Sequence, residues 1–226
     1  MKIGGFQKTT LLDFPGRVAA IVFTSGCNYR CPFCHNASLA LGEGEAVGEE
    51  DIFDYIKLRK GILDGISVSG GEPCLQRGLI PFLRRIREFG LAIKLDTNGT
   101  APDILSEIIG LGLVDYIAMD IKGDPEKYER YVGTEKTEIE RVRESVRIIM
   151  SSGVDYEFRT TVVKELHTAE DIASAAEMIR GAKRYYLQTY KDSDGVMEGG
   201  LHAYSQDEME ALRSSAAPFV SEIYVR

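Results

Sequence analysis

From Arg17 to Ser214 the chain alternates short β-type runs with amphipathic helical stretches, and this alternation constrains its fold more than any other feature. Six strands are predicted, at Arg17–Thr24, Gly65–Ser69, Leu91–Asp96, Val114–Asp120, Tyr156–Val163 and Tyr185–Gln188. Helices are expected between them at about Glu50–Leu58, Pro81–Phe89, Pro102–Gly110, Thr137–Ser152 and Thr168–Arg180, with a last one at Ser205–Ser214. In the clearest of these, Ile139, Val142, Val146 and Ile149 share one face and Arg141, Arg143, Glu144 and Arg147 the other. Ile172, Ala175, Ala176 and Ile179 repeat the pattern in the next. Strands separated by helices of this length call for right-handed crossovers and a parallel sheet. Six units are too few to close an eight-stranded barrel, which takes ~250 residues. The expected fold is therefore α/β, a partial (β/α)6 barrel, with a doubly wound sheet as the rival. No linker or repeat divides the chain, so residues 1–226 are expected to form a single domain. In either architecture the chemistry belongs at the C-terminal ends of the strands.

Several classes of protein fall away on composition. The longest apolar run, Val18–Phe23, is far short of the ~20 residues a membrane helix needs. The first residues carry no apolar stretch of the secretory kind. Lys and Arg number 27 against 35 Asp and Glu, a formal charge of −8, which disfavours binding to phosphate backbones. Four cysteines cannot build a disulfide scaffold, and with no export signal they are expected to be reduced thiols in a cytoplasmic protein.

Three of those cysteines, Cys27, Cys31 and Cys34, lie within eight residues directly after the first strand, while Cys74 stands alone. Three thiolates at this spacing can hold an iron–sulfur cluster with one iron left open. The alternative is a zinc site completed by His35, although its place next to Cys34 would strain the backbone. Ser69-Gly70-Gly71-Glu72-Pro73 ends the second strand; it reads as a turn, or as a close backbone approach with a carboxylate set to accept from an ammonium group. Asp96-Thr97-Asn98-Gly99 follows the third strand and Met119-Asp120-Ile121-Lys122 the fourth. The first suits a turn or helix cap, yet Asp96 and Asp120 at consecutive strand ends would face one barrel mouth. Arg159, in the fifth strand, can point inward or out. Cys74 reads as a passive small residue, and His167 and His202 as isolated surface residues.

Cys-x3-Cys-x2-Cys with Phe33 before the last cysteine resembles the signature of the radical S-adenosylmethionine enzymes. Together with Gly5-Phe6-Gln7-Lys8-Thr9-Thr10-Leu11-Leu12-Asp13-Phe14-Pro15-Gly16 and His35-Asn36, it resembles the glycyl-radical-enzyme activating proteins. Within them the likeness is greatest to the activators of anaerobic ribonucleoside-triphosphate reductase, and less to the pyruvate formate-lyase activases. It runs from the N-terminus to about Val163.

The resemblance implies a barrel of the radical S-adenosylmethionine type, with a 4Fe–4S cluster on Cys27, Cys31 and Cys34. S-adenosylmethionine would be held by Gly70, Gly71 and Glu72 at its amino group and by Lys122 at its carboxylate. Arg159 would assist Lys122, and Asp96 and Asp120 would sit around the carboxylate and ribose, with a monovalent cation as a further expectation. Phe33, His35 and Gln188 would meet the adenosine, with Tyr190 a weaker candidate. One-electron cleavage of the sulfonium would give a 5′-deoxyadenosyl radical that takes a hydrogen atom from a glycine of a partner glycyl radical enzyme. No side-chain acid or base is required, so no catalytic residue is assigned. An electron donor such as flavodoxin or ferredoxin is implied as a second partner. The other readings are activation of a different glycyl radical enzyme, radical chemistry on a small molecule or tRNA, and a zinc-stabilised binding module.

Overall fold

The computed structural model describes residues 1–135, 137–193 and 195–226. Its centre is one eight-stranded sheet in which the strands follow one another in chain order. These are β1 (Ile3–Thr10), β2 (Ala19–Thr24), β3 (Gly65–Gly70), β4 (Ala92–Thr97), β5 (Tyr116–Asp120), β6 (Asp155–Val162), β7 (Arg184–Thr189) and β8 (Glu222–Val225). From β2 to β8 each strand is parallel to the next, and β1 runs antiparallel on the edge of β2. A doubly wound sheet would reverse its order partway, so the sequential order selects the partial barrel.

The sheet curls. Ala19 of β2 and Ala118 of β5 belong to one buried cluster with Phe14, Ala92 and Tyr116. Three strand spacings of ~4.8 Å would hold β2 and β5 far apart in a flat sheet. Phe14, on the β1–β2 connection, enters this cluster and plugs the floor of the barrel. Helices wrap the convex face: α2 (Glu49–Leu58), α3 (Leu79–Glu88), α4 (Pro102–Gly110), α6 (Ile139–Ser151), α7 (Ala169–Met178) and α8 (Gln206–Ala216), while the short α1 (Ala37–Leu41) and α5 (Tyr128–Val132) lie against the loop that follows β2. α6 buries Val142, Val146 and Ile149, and α7 buries Ile172, Ala175 and Ala176 with Ile179 just beyond it, as the periodicity requires. Each buried aliphatic side chain contributes about 1.5–3 kcal/mol relative to exposure. α7 begins at a reciprocal cap between Thr168 and Asp171.

All six expected strands are present, and two more flank them. β1 has a glycine pair and a lysine, residue types depleted in strands, and it is tolerated because it only has to pair on one edge. β8 spans four residues, too few to show a period. The short helices α1 and α5 were likewise not expected, since each makes little more than one turn. Among the described residues, no helix is long and apolar enough to cross a membrane.

Candidate active site

Successive strands deliver their C-terminal ends to one open cavity of about 930 Å³, counted out to solvent. Cys27, Cys31, Cys34, Phe33, His35, Gly70, Gly71, Glu72, Asp96, Asp120, Lys122, Arg159 and Gln188 all line it. Residues proposed from six separate stretches of sequence thus meet at one place.

The cysteine loop leaves β2 and is held by its backbone. Gly26 N–H donates to Leu39 O at 2.7 Å, Cys27 N–H to Ala40 O at 3.1 Å, and Arg30 N–H to Val132 O at 2.8 Å. The Arg30 guanidinium turns back to donate to the carbonyls of Cys27 and Tyr29, both at 2.7 Å. Gly133, which ends α5, lies so close beneath that a Cβ there would stand 2.1 Å from Arg30 O. On the other side, the segment after β7 crosses the loop: Met197 N–H donates to Cys34 O at 3.1 Å and Glu198 N–H to Pro32 O at 3.0 Å. Burial, reinforced by the Glu72 carboxylate, pushes the Cys27 thiol up to about 11, and burial pushes Cys31 up to about 12. Both thiols therefore keep their protons near neutrality until a metal displaces them.

The Gly70–Gly71 pair brings its strand end against this loop. A Cβ on Gly71 would sit 2.1 Å from Gly26 O, and one on Gly70 would sit 2.4 Å from Thr24 N. Glu72 N–H donates to Gly26 O at 2.9 Å. The absent side chains thus serve approach to the cysteine loop's own backbone as well as to the cavity. The Glu72 carboxylate is 1 % exposed and accepts from Cys74 N–H at 3.0 Å, Thr97 Oγ1 at 2.8 Å and Asn98 N–H at 2.7 Å. These bonds use three of its roughly four acceptor positions, so it acts mainly as a tie between the ends of β3 and β4. Burial raises its pKa, against the pull of the Asn98 and Cys74 N–H groups.

Arg159 points inward and settles the choice left open by the sequence. Its Nε donates to Asp120 at 2.8 Å, and its Nη1 lies 3.4 Å from Asp96. Lys122 Nζ is 3.0 Å from Asp120, and Lys94, only 2 % exposed, pairs with Asp96. Burial works against the Asp120 carboxylate, but Arg159 and Lys122 hold it well below the usual carboxylate range. Lys122 is likewise held above the lysine range because Asp120 outweighs its burial. In this ion-pair group three cations meet two carboxylates; Lys122 and Arg159 line the cavity, Lys94 lies outside its lining, and the Glu72 carboxylate is a further acidic group on its wall. The expected monovalent cation would meet no bare carboxylate, since Asp96 and Asp120 are both paired.

Three residues of consequence are ones to which the sequence assigns no role at the site. Arg30 is one. Asn98 is another: its Nδ2 donates to Asn28 Oδ1 at 2.9 Å and approaches Cys27 Sγ at 3.8 Å. His167 is the third, and it corrects the expectation of a surface residue. It is 0 % exposed, with its ring stacked on Tyr131 at 4.7 Å and edge-on to Phe33 at 5.9 Å. His202 is exposed and pairs with Glu165, as expected of a surface histidine. Cys74 is buried with its N–H on Glu72 and, unlike the three loop cysteines, does not line the cavity.

The donor set fits an iron–sulfur cluster better than a zinc ion. His35 stacks on Tyr190 at 5.5 Å, so its ring packs there. Zinc–sulfur bonds of 2.3 Å would bring the sulfurs to about 3.8 Å from one another. Among the described residues, no three His, Cys, Asp or Glu side chains converge as ligands of a single ion. In a cluster each thiolate takes its own iron, and three thiols of one loop that face a single cavity supply such a ligand set.

The chain belongs to the radical S-adenosylmethionine superfamily, whose family model matches residues 21–179. It is 31 % identical, over 99 % of its length and 95 % of the relative's, to a Methanocaldococcus jannaschii protein named provisionally as a glycyl-radical enzyme activating enzyme. The pyruvate formate-lyase-activating enzyme of Clostridium pasteurianum is 29 % identical over 84 % of this chain and 82 % of that one. In fold, a domain of pyruvate-formate lyase-activating enzyme from Bacteroides vulgatus superposes with a TM-score of 0.58 at 17 % identity, covering 72 % of this chain and 98 % of that one. Within the superfamily the chain is an enzyme of the glycyl-radical-enzyme activating family, and its cofactors are a 4Fe–4S cluster and S-adenosylmethionine. This membership sets aside the zinc-stabilised binding module.

Proposed function

We propose that the chain installs a glycyl radical on a partner enzyme, and that this partner is the anaerobic ribonucleoside-triphosphate reductase. The observation that carries the mechanism is the single cavity shared by the cysteine loop, the Gly-Gly-Glu loop and the cationic group at the mouth. Cys27, Cys31 and Cys34 would hold the cluster, with Arg30 and Gly71 fixing the curl of their loop. Lys122 and Arg159, the two cationic side chains that line the cavity, suit the carboxylate of S-adenosylmethionine. The backbone of Gly70 and Gly71 would receive its amino group, and Phe33, His35 and Gln188 would border the adenosine. When bound, the two cofactors supply one-electron cleavage of a sulfonium and hydrogen-atom abstraction from glycine. The chain's own task is to bind, orient and shield, which agrees with the lack of an acid–base pair among these roles. An electron carrier of the flavodoxin or ferredoxin class would supply the electron.

The choice of partner rests on the Gly5-to-Gly16 block, and this block supports it as a mark of kinship. Its Phe14 plugs the barrel floor, at the end away from the cavity, so residues nearer the mouth would contact the partner. The test is anaerobic. Reduced, cluster-loaded protein and S-adenosylmethionine are mixed with candidate glycyl radical enzymes, and the glycyl doublet is followed by electron paramagnetic resonance. A doublet on the ribonucleotide reductase is expected. A doublet only on another enzyme would reassign the partner, and cofactor cleavage without any doublet would refute the activase reading.

A further inference from the structure

Both backbone polar groups of Lys122 are held by side chains from elsewhere in the chain. Its N–H donates to Tyr128 Oη at 3.1 Å, and its carbonyl lies 2.8 Å from His167 Nε2. The tautomer of His167 follows from its Lys122 contact: a carbonyl can only accept, so Nε2 carries the proton and donates to Lys122 O. Nδ1 lies 3.1 Å from Val163 N and 3.3 Å from Val163 O; that carbonyl already accepts from the N–H groups of Leu166 and His167, so Nδ1 of the neutral ring accepts from Val163 N–H. The ring is sandwiched as well: it stacks on Tyr131 and meets Phe33 edge-on. Tyr131 in turn blocks Gly123, the next residue along, where a Cβ would come within 2.5 Å of its ring. Lys122 Nζ stands 5.9 Å over the face of Phe33. One buried imidazole therefore touches the backbone of Lys122 and the ring of Phe33, which meet the two ends of the bound molecule in the reading above.

We propose that neutral His167 is a positioning residue for S-adenosylmethionine, locking the Lys122 peptide and the Phe33 ring in their binding orientations before the cofactor arrives. The proposal rests on the assignment of Lys122 to the cofactor carboxylate. A side chain fixed in advance loses no freedom on binding, so removing the lock should weaken affinity without touching the thiols.

The test uses the full, cluster-loaded protein and reads S-adenosylmethionine affinity by anaerobic equilibrium dialysis, with iron content and the cluster absorption recorded alongside. His167→Leu is expected to weaken binding about tenfold, the weight of one buried hydrogen bond, with iron content unchanged. His167→Gln retains an N–H donor at the length of Nε2 and is expected to recover affinity to within about threefold of the parent. A purely structural role would leave the two variants alike in affinity. Equal affinity in both, or no loss in His167→Leu, overturns the proposal. If His167→Leu fails to fold, Tyr128→Phe, which removes only the other backbone anchor of Lys122, is expected to weaken binding about threefold, and an unchanged affinity there overturns it too. Lys122→Ala separates the two levels of the argument. Unaltered affinity in that variant sinks the site assignment itself, whereas weakened affinity there with normal binding in His167→Leu sinks only the lock.

Discussion

The two ends of the barrel interior are built by the same strands and behave oppositely. Along β4 the inward positions are Ala92, Lys94 and Asp96, and along β5 they are Tyr116, Ala118 and Asp120. Because side chains alternate every two residues, each strand passes from an apolar layer at the floor to a charged layer at the mouth. The floor is closed by Phe14 and its apolar cluster, and Glu157, the charged group bonded to that cluster, accepts from Tyr116 Oη at 2.8 Å and is paired with Arg226 at 2.7 Å. The mouth holds Lys94, Asp96, Asp120, Lys122 and Arg159 in direct contact. Burying so much charge contributes little to stability, since desolvation offsets most of the attraction. The contrast assigns folding to the floor and binding to the mouth, and substitutions at each end should separate the two.

The largest difference is expected at the rim. Cys34→Ala should abolish cluster assembly, as should Cys27→Ala and Cys31→Ala, whereas Cys74→Ala should keep full iron content because that thiol lies beside Glu72. Iron analysis after anaerobic reconstitution reads the outcome, and loss of iron in Cys74→Ala would reassign the ligands. Next comes Gly71→Ala, which places a methyl group where Gly26 O stands and should displace the cysteine loop. Substantially reduced iron content is expected, while normal loading would show that the loop yields. At the floor, Phe14→Ala should cost about 3–5 kcal/mol of stability in denaturant unfolding, and cofactor affinity in the folded fraction should stay unchanged. At the mouth the pattern should invert. Lys122→Ala should weaken S-adenosylmethionine about tenfold, with iron content intact and the unfolding midpoint nearly so. A floor variant that weakens binding as much as a mouth variant does would break the division.

The parts of this arrangement that announced themselves in the sequence are those in which chemistry and spacing coincide. Three cysteines after a strand, two glycines before a glutamate and two aspartates at strand ends all remain local to one turn. The strand–helix alternation likewise gives the order of the barrel, because each crossover is short. His167 was illegible for the opposite reason. It follows a strand in a polar stretch, and its burial comes from Tyr131 and Phe33, residues 36 and 134 positions away in the chain. Arg159 carried its type but not its direction until Asp96 and Asp120 were placed around it. Glu72 was read as an open acceptor, yet the fold fills it with the N–H groups of Cys74 and Asn98. Strand β1 was hidden by glycines and polar residues that only an edge position tolerates.

The central claim is that one cavity holds the cluster and S-adenosylmethionine in contact. Electron paramagnetic resonance of the anaerobically reduced, reconstituted protein, recorded with and without S-adenosylmethionine, tests it most directly. A 4Fe–4S signal whose g values change when the cofactor is added is the expected result. A fully loaded cluster whose spectrum is indifferent to saturating cofactor would contradict it.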